Sequence, residues 1–332
     1  MSTTAKLALY EDDTQAWGLI EADALALLAK LPENSVDAIV TDPPYGLGFH
    51  DESWDSFRAT GPDGERLSQG EAFECWTAQW AAECRRVLRP GAVMAVFGAP
   101  RTFHRLVSGI EDGGLEVRDQ LLWLYAQGVP KARKLPGGLA SMLRPGYEPV
   151  LLARKPLAGR TIDNIEAHGT GALNIETNRV NGYWPANLAL THAPACAEAG
   201  CTSDCPAAML DAARPDLRPS RLFFCSKASK AEREAGCDQL PLVDDQLYSR
   251  PAVRLRRNIH PTVKPLALMR WLVGLVTPPG GLVLDPFTGS ASTGVAAVLE
   301  GRRFLGIERE GRYVDIACAR LTHWAHEARK PS

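Results

Sequence analysis

The chain has 332 residues, of which 45% are hydrophobic and 23% are charged, and its formal net charge is −2. These values are typical of a globular protein with one large α/β core, and no segment has the run of apolar residues that a membrane span requires. The first residues lack a basic region followed by an apolar stretch, and eight cysteines are too few for a disulfide scaffold. We therefore expect a cytoplasmic protein that does not insert into a membrane.

Helices and buried strands alternate in the first part of the chain. The spacing of apolar residues predicts helices in ADALALLAKL (22–31), AFECWTAQWAAECRRVL (72–88) and RTFHRLVSGIEDGG (101–114). Continuous apolar runs predict strands in SVDAIVT (35–41), AVMAVFG (92–98) and EVRDQLLWLY (116–125). Strands separated by helices favour a parallel sheet.

The pattern becomes irregular from about residue 126 to 250 and then resumes. Residues 265–321 read as helix, strand, loop, helix, strand and helix. In GLVLDPFTGSASTGVAAVLEG (281–301), a buried strand leads through a Gly/Ser turn into a helix that starts near Ser292. The free N–H groups at such a helix start attract an anion, and glycine lets a ligand approach the backbone.

A second strand, RRFLGIE, ends on Glu308, about 20 residues beyond Asp285, the last residue of the first strand. An acid in this place typically accepts hydrogen bonds from the two hydroxyls of a ribose. The chain lacks both G-x-G-x-x-G and G-K-[ST], which disfavours a dinucleotide and a nucleoside triphosphate. The pattern favours another nucleoside cofactor, and the alternative is a tight connection that binds nothing.

The strand SVDAIVT runs directly into DPPYG (42–46). Proline has no backbone N–H, so two consecutive prolines force the chain out of the sheet and leave an exposed strand end.

Four segments in one order carry a resemblance to a known family. They are TDPPYG (41–46), RVLRPGAVMAVFG (86–98), NIHPTVKP (258–265) and VLDPFTGSASTG (283–294). They resemble the motifs of the DNA amino-methyltransferases, in particular the beta group, in which the catalytic half precedes the target-recognition region. The match covers residues 17–125 and 256–322.

The resemblance implies a Rossmann-like α/β fold of the S-adenosylmethionine-dependent methyltransferases. In this fold a mostly parallel, twisted sheet has helices on both faces, and a target-recognition lobe is inserted. Residues 1–128 would form the catalytic half, 129–250 the target-recognition region, and 251–332 the half that binds S-adenosylmethionine.

The resemblance also implies the roles of the D-P-P-Y residues. Asp42 and the carbonyl of Pro43 would each accept one hydrogen of the target amino group, which aims the nitrogen lone pair at the methyl group. Pro43 and Pro44 would stiffen the backbone, and Tyr45 would stack on a base flipped out of the duplex.

The cofactor residues follow from the same resemblance. Those expected along the methionine and ribose are Asp285, Pro286, Phe287, Gly289, Ser290, Ser292 and Glu308. Asp23 would lie near the adenine, while His260, Thr262 and Lys264 would close over the methionyl group. The alternative for His260 is a buried or capping role. Relatives usually have glycine where this chain has Ala291, so the turn must adopt a conformation that an L-residue accepts, or cofactor affinity suffers.

The middle of the chain contains a basic run and a cluster of thiols. The expected phosphate contacts are Lys131, Arg133, Lys134, Arg154, Lys155, Arg256 and Arg257, and the alternative is a solvated face. The candidate ligands of a structural zinc ion are His192, Cys196, Cys201 and Cys205. The alternative is free or partly buried thiols, since the spacing is not a clean C-x-x-C pair.

We therefore expect a methyltransferase that modifies adenine N6 in double-stranded DNA by base flipping. Adenine is favoured because N4-cytosine enzymes more often carry serine in place of Asp42. An N4-cytosine enzyme, an RNA or protein amide methyltransferase and a non-catalytic DNA-binding protein remain alternatives. A cognate restriction endonuclease and a homodimer are open possibilities.

Overall fold

The computed structural model describes residues 16–48, 53–61, 63–125, 135–180, 182–190, 201–203, 205–213, 228–244 and 255–329. The strands are β1 (Trp17–Glu21), β2 (Val36–Thr41), β3 (Leu88–Phe97), β4 (Glu116–Leu124), β5 (Tyr147–Arg154), β6 (Leu188–Leu190), β7 (Val243–Asp244), β8 (Leu255–Arg256), β9 (Leu282–Asp285) and β10 (Arg303–Glu308). The helices are α1 (Ala24–Leu28), α2 (Gln69–Val87), α3 (Phe103–Asp112), α4 (Thr161–His168), α5 (Pro206–Ala213), α6 (Lys230–Glu234), α7 (Leu266–Val276), α8 (Ser292–Leu299) and α9 (Gly311–Ala328).

Eight strands form one sheet in the order β1-β10-β9-β2-β3-β5-β4-β6. Strand β5 is antiparallel to β3 and β4, whereas the other neighbouring pairs are parallel. This confirms the mostly parallel sheet that the sequence predicts. Strands β7 and β8 form a separate two-stranded sheet.

The sheet is buried on both faces. On one face, Ala38 and Val40 of β2 pack in a core with helices α7, α8 and α9. On the other, Val36 and Ile39 pack with α1, α2 and α3. Neighbouring side chains of a strand point to opposite faces, so a strand covered on both sides is mostly apolar, as in VDAIVT, whose six residues are all buried.

The order of the strands determines where a ligand can bind. Strands β9 and β2 are parallel neighbours, so Asp285 at the end of β9 lies beside the end of β2 at Thr41. The Thr41 hydroxyl donates to Asp285 Oδ1 at 2.7 Å. Ligands of open α/β sheets bind beyond the carboxyl ends of the strands, at the point where the chain switches direction across the sheet.

Three strands of the main sheet were not predicted. Strand β1 lies near the start of the chain, and β5 and β6 lie within residues 129–250, which the resemblance assigns to the target-recognition region. Each is a short apolar run, and such runs carry too little periodicity to be recognised without their sheet partners. Part of the middle region therefore belongs to the main sheet.

Among the helices of the described ranges, none combines the length and the apolar character that crossing a bilayer demands.

Candidate active site

A cavity of about 370 Å³ lies beyond the carboxyl ends of β2, β9 and β10. The structure brings every residue predicted for catalysis or cofactor binding to its walls. They are Asp23, Asp42, Pro43, Pro44, Tyr45, His260, Thr262, Lys264, Asp285, Pro286, Phe287, Gly289, Ser290, Ser292 and Glu308.

The D-P-P-Y loop is held rigidly after β2. Tyr45 donates its hydroxyl hydrogen to Asp42 Oδ1 at 2.5 Å, and the Tyr45 carbonyl accepts from Thr102 Oγ1 at 2.6 Å. The loop exit is fixed by the buried carboxylate of Asp55, which accepts from the Gly46 N–H at 2.7 Å. The loop thus holds the Asp42 carboxylate in one place at the end of the strand.

The ammonium group of Lys264 makes the closest charged contact with Asp42. Its Nζ lies 2.6 Å from Asp42 Oδ2, 3.2 Å from Glu148 Oε2 and 3.3 Å from the Tyr45 hydroxyl oxygen. It also lies 4.9 Å from the centre of the Phe97 ring. Lys264 therefore contacts the D-P-P-Y motif, although its predicted role was to close over the methionyl group.

This contact fixes the charge of the lysine. Burial by itself would lower the pKa of Lys264, but the negative charges of Asp42 and Glu148 outweigh it, and the pKa is raised above its ordinary value. Burial and the charges of the same two acids also raise the pKa of Tyr45, whose hydroxyl therefore keeps its proton. The site holds one cation between two carboxylates.

The Gly/Ser turn on the other side of the cavity is closely packed. Gly289 has a φ of +53°, and a Cβ atom there would lie 2.5 Å from His260 Nε2. Ala291 adopts φ 59° and ψ 36°, the left-handed conformation, and is completely buried. The turn therefore keeps a conformation that favours glycine, at a cost of about 1–2 kcal/mol for an L-residue.

His260 is a neutral ring in this turn region. Burial, followed by the positive charges around it, lowers its pKa to about 3. Its Nδ1 accepts a hydrogen bond from the Thr262 N–H at 3.4 Å, and its ring packs edge-on against Tyr313 with centroids 4.6 Å apart. The ring thus forms a wall of the cavity and braces the 260–262 loop.

Two acids mark the far end of the cavity. Glu308 accepts from the Gly289 N–H at 2.7 Å through Oε2 and from the Glu310 N–H at 2.8 Å through Oε1, and burial raises its pKa. Asp23 caps α1 by accepting from the Ala26 N–H at 3.0 Å. Each carboxylate oxygen has lone pairs beyond these bonds with which to accept from hydroxyl groups.

Asp285 connects the two halves of the site. Its Oδ1 accepts from the Thr41 hydroxyl and, at 3.1 Å, from the Phe287 N–H. Burial raises its pKa to about 7, despite these hydrogen bonds, and the charge of Asp42 acts in the same direction. The Phe287 ring packs against Trp76 at 5.4 Å and against Trp80 at 5.5 Å.

Two of the residues predicted to contact phosphates, Arg154 and Lys155, do not line the cavity. Arg154 pairs with Glu116 at 2.6 Å, and Lys155 donates to the Leu88 carbonyl at 2.7 Å. Arg154, the last residue of β5, pairs with Val93 of β3, whereas the cavity lies beyond the carboxyl ends of β2, β9 and β10. Arg154 and Lys155 thus make contacts within the protein and do not line the cavity.

Of the other basic residues predicted to contact phosphates, the structure describes two. Arg256 belongs to β8 of the small sheet, and the Arg257 N–H donates to Glu234 Oε2 at 3.1 Å. Lys131, Arg133 and Lys134 lie outside the described residues.

The predicted zinc ligands are described only in part. Cys205 is buried and Cys201 is exposed. His192 and Cys196 lie outside the described ranges. Within those ranges, no group of three or more histidine, cysteine or acidic side chains is arranged to hold a metal ion.

Sequence reasoning missed several residues of the site. Glu148 and Trp76 line the cavity, and Asp55 orders its loop. Burial, then the charge of Glu148 and a hydrogen bond to it, raises the pKa of Tyr125. The only sequence signal for Glu148 is that it is the single acid in the basic stretch between residues 131 and 160.

The chemistry of the cavity walls fits S-adenosylmethionine. A partly buried acid, Glu308, suits the two ribose hydroxyls. Helix α8 starts after Ala291, whose side chain cannot cap it, so N–H groups of its first turn are available to an anion such as the methionine carboxylate. Phe287 and its aromatic neighbours supply an apolar wall.

Comparisons with known proteins agree with this chemistry. A model of the N6/N4 methyltransferase family, described as DNA methylase, matches residues 36–319. Type II methyltransferase M.HindIII of Haemophilus influenzae is 26% identical over 347 aligned positions, covering 91% of this chain and 94% of that protein. DNA adenine methyltransferase YhdJ of Escherichia coli is 26% identical over 320 positions, covering 94% and 85%.

Solved structures show the same fold. The PvuII DNA methyltransferase, named as cytosine-N4-specific, superimposes with a TM-score of 0.61 at 16% identity, covering 95% of this chain and 93% of its own. Since the family model spans most of the chain, the protein belongs to the DNA methylase family and is an S-adenosylmethionine-dependent DNA methyltransferase of the N6-adenine or N4-cytosine type.

Proposed function

We propose that the enzyme transfers the methyl group of S-adenosylmethionine to adenine N6 in double-stranded DNA. The observation that carries this proposal is the carboxylate of Asp42, which lines the cofactor cavity and forms an ion pair with Lys264 at 2.6 Å. An ionised carboxylate is the stronger acceptor for an amino hydrogen, whereas N4-cytosine enzymes more often use serine here. One relative, YhdJ, is named as an adenine methyltransferase and aligns with 94% of this chain.

The residues of the chain prepare the amino group for attack. Asp42 accepts one amino hydrogen, and the carbonyl of Pro43 accepts the other; within the described part of the chain that carbonyl has no hydrogen-bond partner. Two acceptors held by a stiff loop draw electron density toward the nitrogen and orient its lone pair. S-adenosylmethionine supplies the electrophilic methyl group.

Proton transfer follows from the same arrangement. Once the nitrogen has gained a methyl group, it must lose one of its two hydrogens as a proton. Asp42 is the acceptor at that position, and the ion pair with Lys264 holds its carboxylate there. Because Tyr45 donates to Asp42 through its hydroxyl, its ring is held beside the carboxylate, where the flipped base would stack.

Analysis of the methylated product tests the base and the substrate class. The protein is incubated with labelled S-adenosylmethionine and unmethylated genomic DNA, the DNA is digested, and the nucleosides are separated. We expect labelled N6-methyl-2′-deoxyadenosine, in duplex DNA more than in the same DNA after denaturation. N4-methyl-2′-deoxycytidine would contradict the choice of base, and label found only in protein would contradict the substrate class.

We also propose that Glu308 binds the ribose of the cofactor. Its replacement by alanine is expected to weaken S-adenosylmethionine binding by about 1.5 to 3 kcal/mol, the range for hydrogen bonds to a charged acceptor. Titration calorimetry measures this change. Glu111→Ala, at an exposed position on α3, serves as the matched control and should bind normally. Unchanged affinity in Glu308→Ala would show that the ribose is held by other groups.

The DNA contacts, the zinc ion and the protein partners are predictions. The basic segment with Lys131, Arg133 and Lys134 is proposed to contact DNA phosphates, together with Arg256 and Arg257, whereas Arg154 and Lys155 are omitted because of their internal contacts. The zinc site, a cognate endonuclease and a homodimer stay predictions from the sequence.

A further inference from the structure

Arg320 is a fully buried cation behind the Gly/Ser turn. It lies on α9, and none of its surface is exposed. Its Nη1 donates to the Ser290 carbonyl at 2.5 Å and contacts the hydroxyls of Ser290 at 3.2 Å and Ser292 at 3.4 Å. The guanidinium group thus supports the two serines that line the cavity from their buried side.

The other nitrogens of this guanidinium group find no hydrogen-bond partner among the described residues. These buried atoms are Nε and Nη2. The acidic groups close enough to affect it are Glu232 and Cys237, and Glu232 already accepts from the Leu266 N–H at 2.7 Å. Arg233 nearby adds a further positive charge.

Such a group is costly unless another charge compensates it. Burial lowers the pKa of Arg320 to about 10, which leaves it protonated at neutral pH. A buried cation with unsatisfied hydrogen-bond donors destabilises a folded protein. An arginine in this position therefore suggests that a negative charge arrives with a ligand.

The cavity side of the turn is suited to an anion. Ser290 and Ser292 line the cavity, and α8 begins at Ser292 without a side-chain cap, so helix N–H groups and the Arg320 charge favour negative charge at the same place. The methionine part of S-adenosylmethionine carries one such group, its carboxylate. Arg320 reaches that position through the serines and does not itself line the cavity.

We propose that Arg320 is a positioning residue for the carboxylate of S-adenosylmethionine. Its charge attracts the carboxylate from behind the turn, and its hydrogen bonds hold the Ser290 carbonyl and both hydroxyls so that the turn presents donors to the ligand. This role rests on the cofactor of the enzyme and is independent of which base is methylated.

Binding of two inert cofactor analogues tests the proposal without turnover. S-adenosylhomocysteine keeps the carboxylate, and its decarboxylated form, S-adenosyl-3-thiopropylamine, lacks only that group. In the wild-type protein we expect calorimetry to show about 30-fold tighter binding of the first, which corresponds to about 2 kcal/mol. Equal affinities in the wild-type protein would overturn the proposal whether or not any variant folds.

Two variants then assign the preference to Arg320. In Arg320→Met the ratio of the two affinities should fall to within about threefold, while Arg320→Lys, which keeps the charge, should retain most of it. Arg329→Met, at the exposed end of the same helix, should keep the wild-type ratio. If Arg320→Met weakened both analogues equally, or neither, Arg320 would be a structural residue only.

Discussion

Replacing Asp42 by alanine is expected to reduce methylation by about 10³-fold or more, or about 4 kcal/mol, while S-adenosylmethionine still binds. The carboxylate acts on the target amino group, and the ribose and methionyl parts of the cofactor are held by other residues. Without this acceptor the amino nitrogen keeps its lone pair delocalised into the base. Single-turnover rates with saturating cofactor measure the loss, and calorimetry measures binding.

Folding must be checked in this variant, because Asp42 also pairs with Lys264. Circular dichroism and thermal melting compare it with Asp112→Ala, in which an exposed acid at the end of α3 is removed. Near-normal turnover in a folded Asp42→Ala protein would rule out the proposed catalytic role.

Replacing Lys264 by methionine should have the second largest effect. The change leaves Asp42 and Glu148 as two carboxylates that previously shared one cation. Two like charges that lose their shared cation repel each other, so the Asp42 carboxylate no longer keeps one position. We expect the methylation rate to fall about 100-fold, because the acceptor for the amino hydrogen is no longer held in place. Single-turnover rates with saturating S-adenosylmethionine measure this loss.

The same variant separates two roles for the lysine. If Lys264 acts on Asp42, Lys264→Met should bind S-adenosylmethionine within about threefold of the original affinity, a change below 1 kcal/mol. If it closes over the methionyl group, as the resemblance implies, affinity should fall and the rate at saturation should not. Adding Glu148→Gln removes the second carboxylate, so the double variant should recover thermal stability lost by Lys264→Met.

Much of the site was predictable because its parts are local in sequence. The strand SVDAIVT must end where the two prolines of DPPYG begin, because proline cannot join the hydrogen bonds of a sheet. Asp42 therefore lies at a strand end, whatever the position of that strand in the sheet. Likewise the strand, Gly/Ser turn and helix that include Asp285 and Ser292 form one continuous unit, and helix α8 begins at the predicted residue. Glu308 ends the next strand, and its distance along the chain from Asp285 is the length of one helix and one strand.

The tertiary structure alone decided which distant groups meet at these strand ends. Lys264 is 222 positions from Asp42, and Glu148 reaches them because β5 inserts antiparallel between β3 and β4. Arg320 comes to lie behind Ser290 only because α9 packs against α8. The left-handed conformation of Ala291 likewise depends on its packing. Periodicity and motifs report neighbours along the chain, whereas these contacts depend on the order and direction of the strands and on which helices cover them.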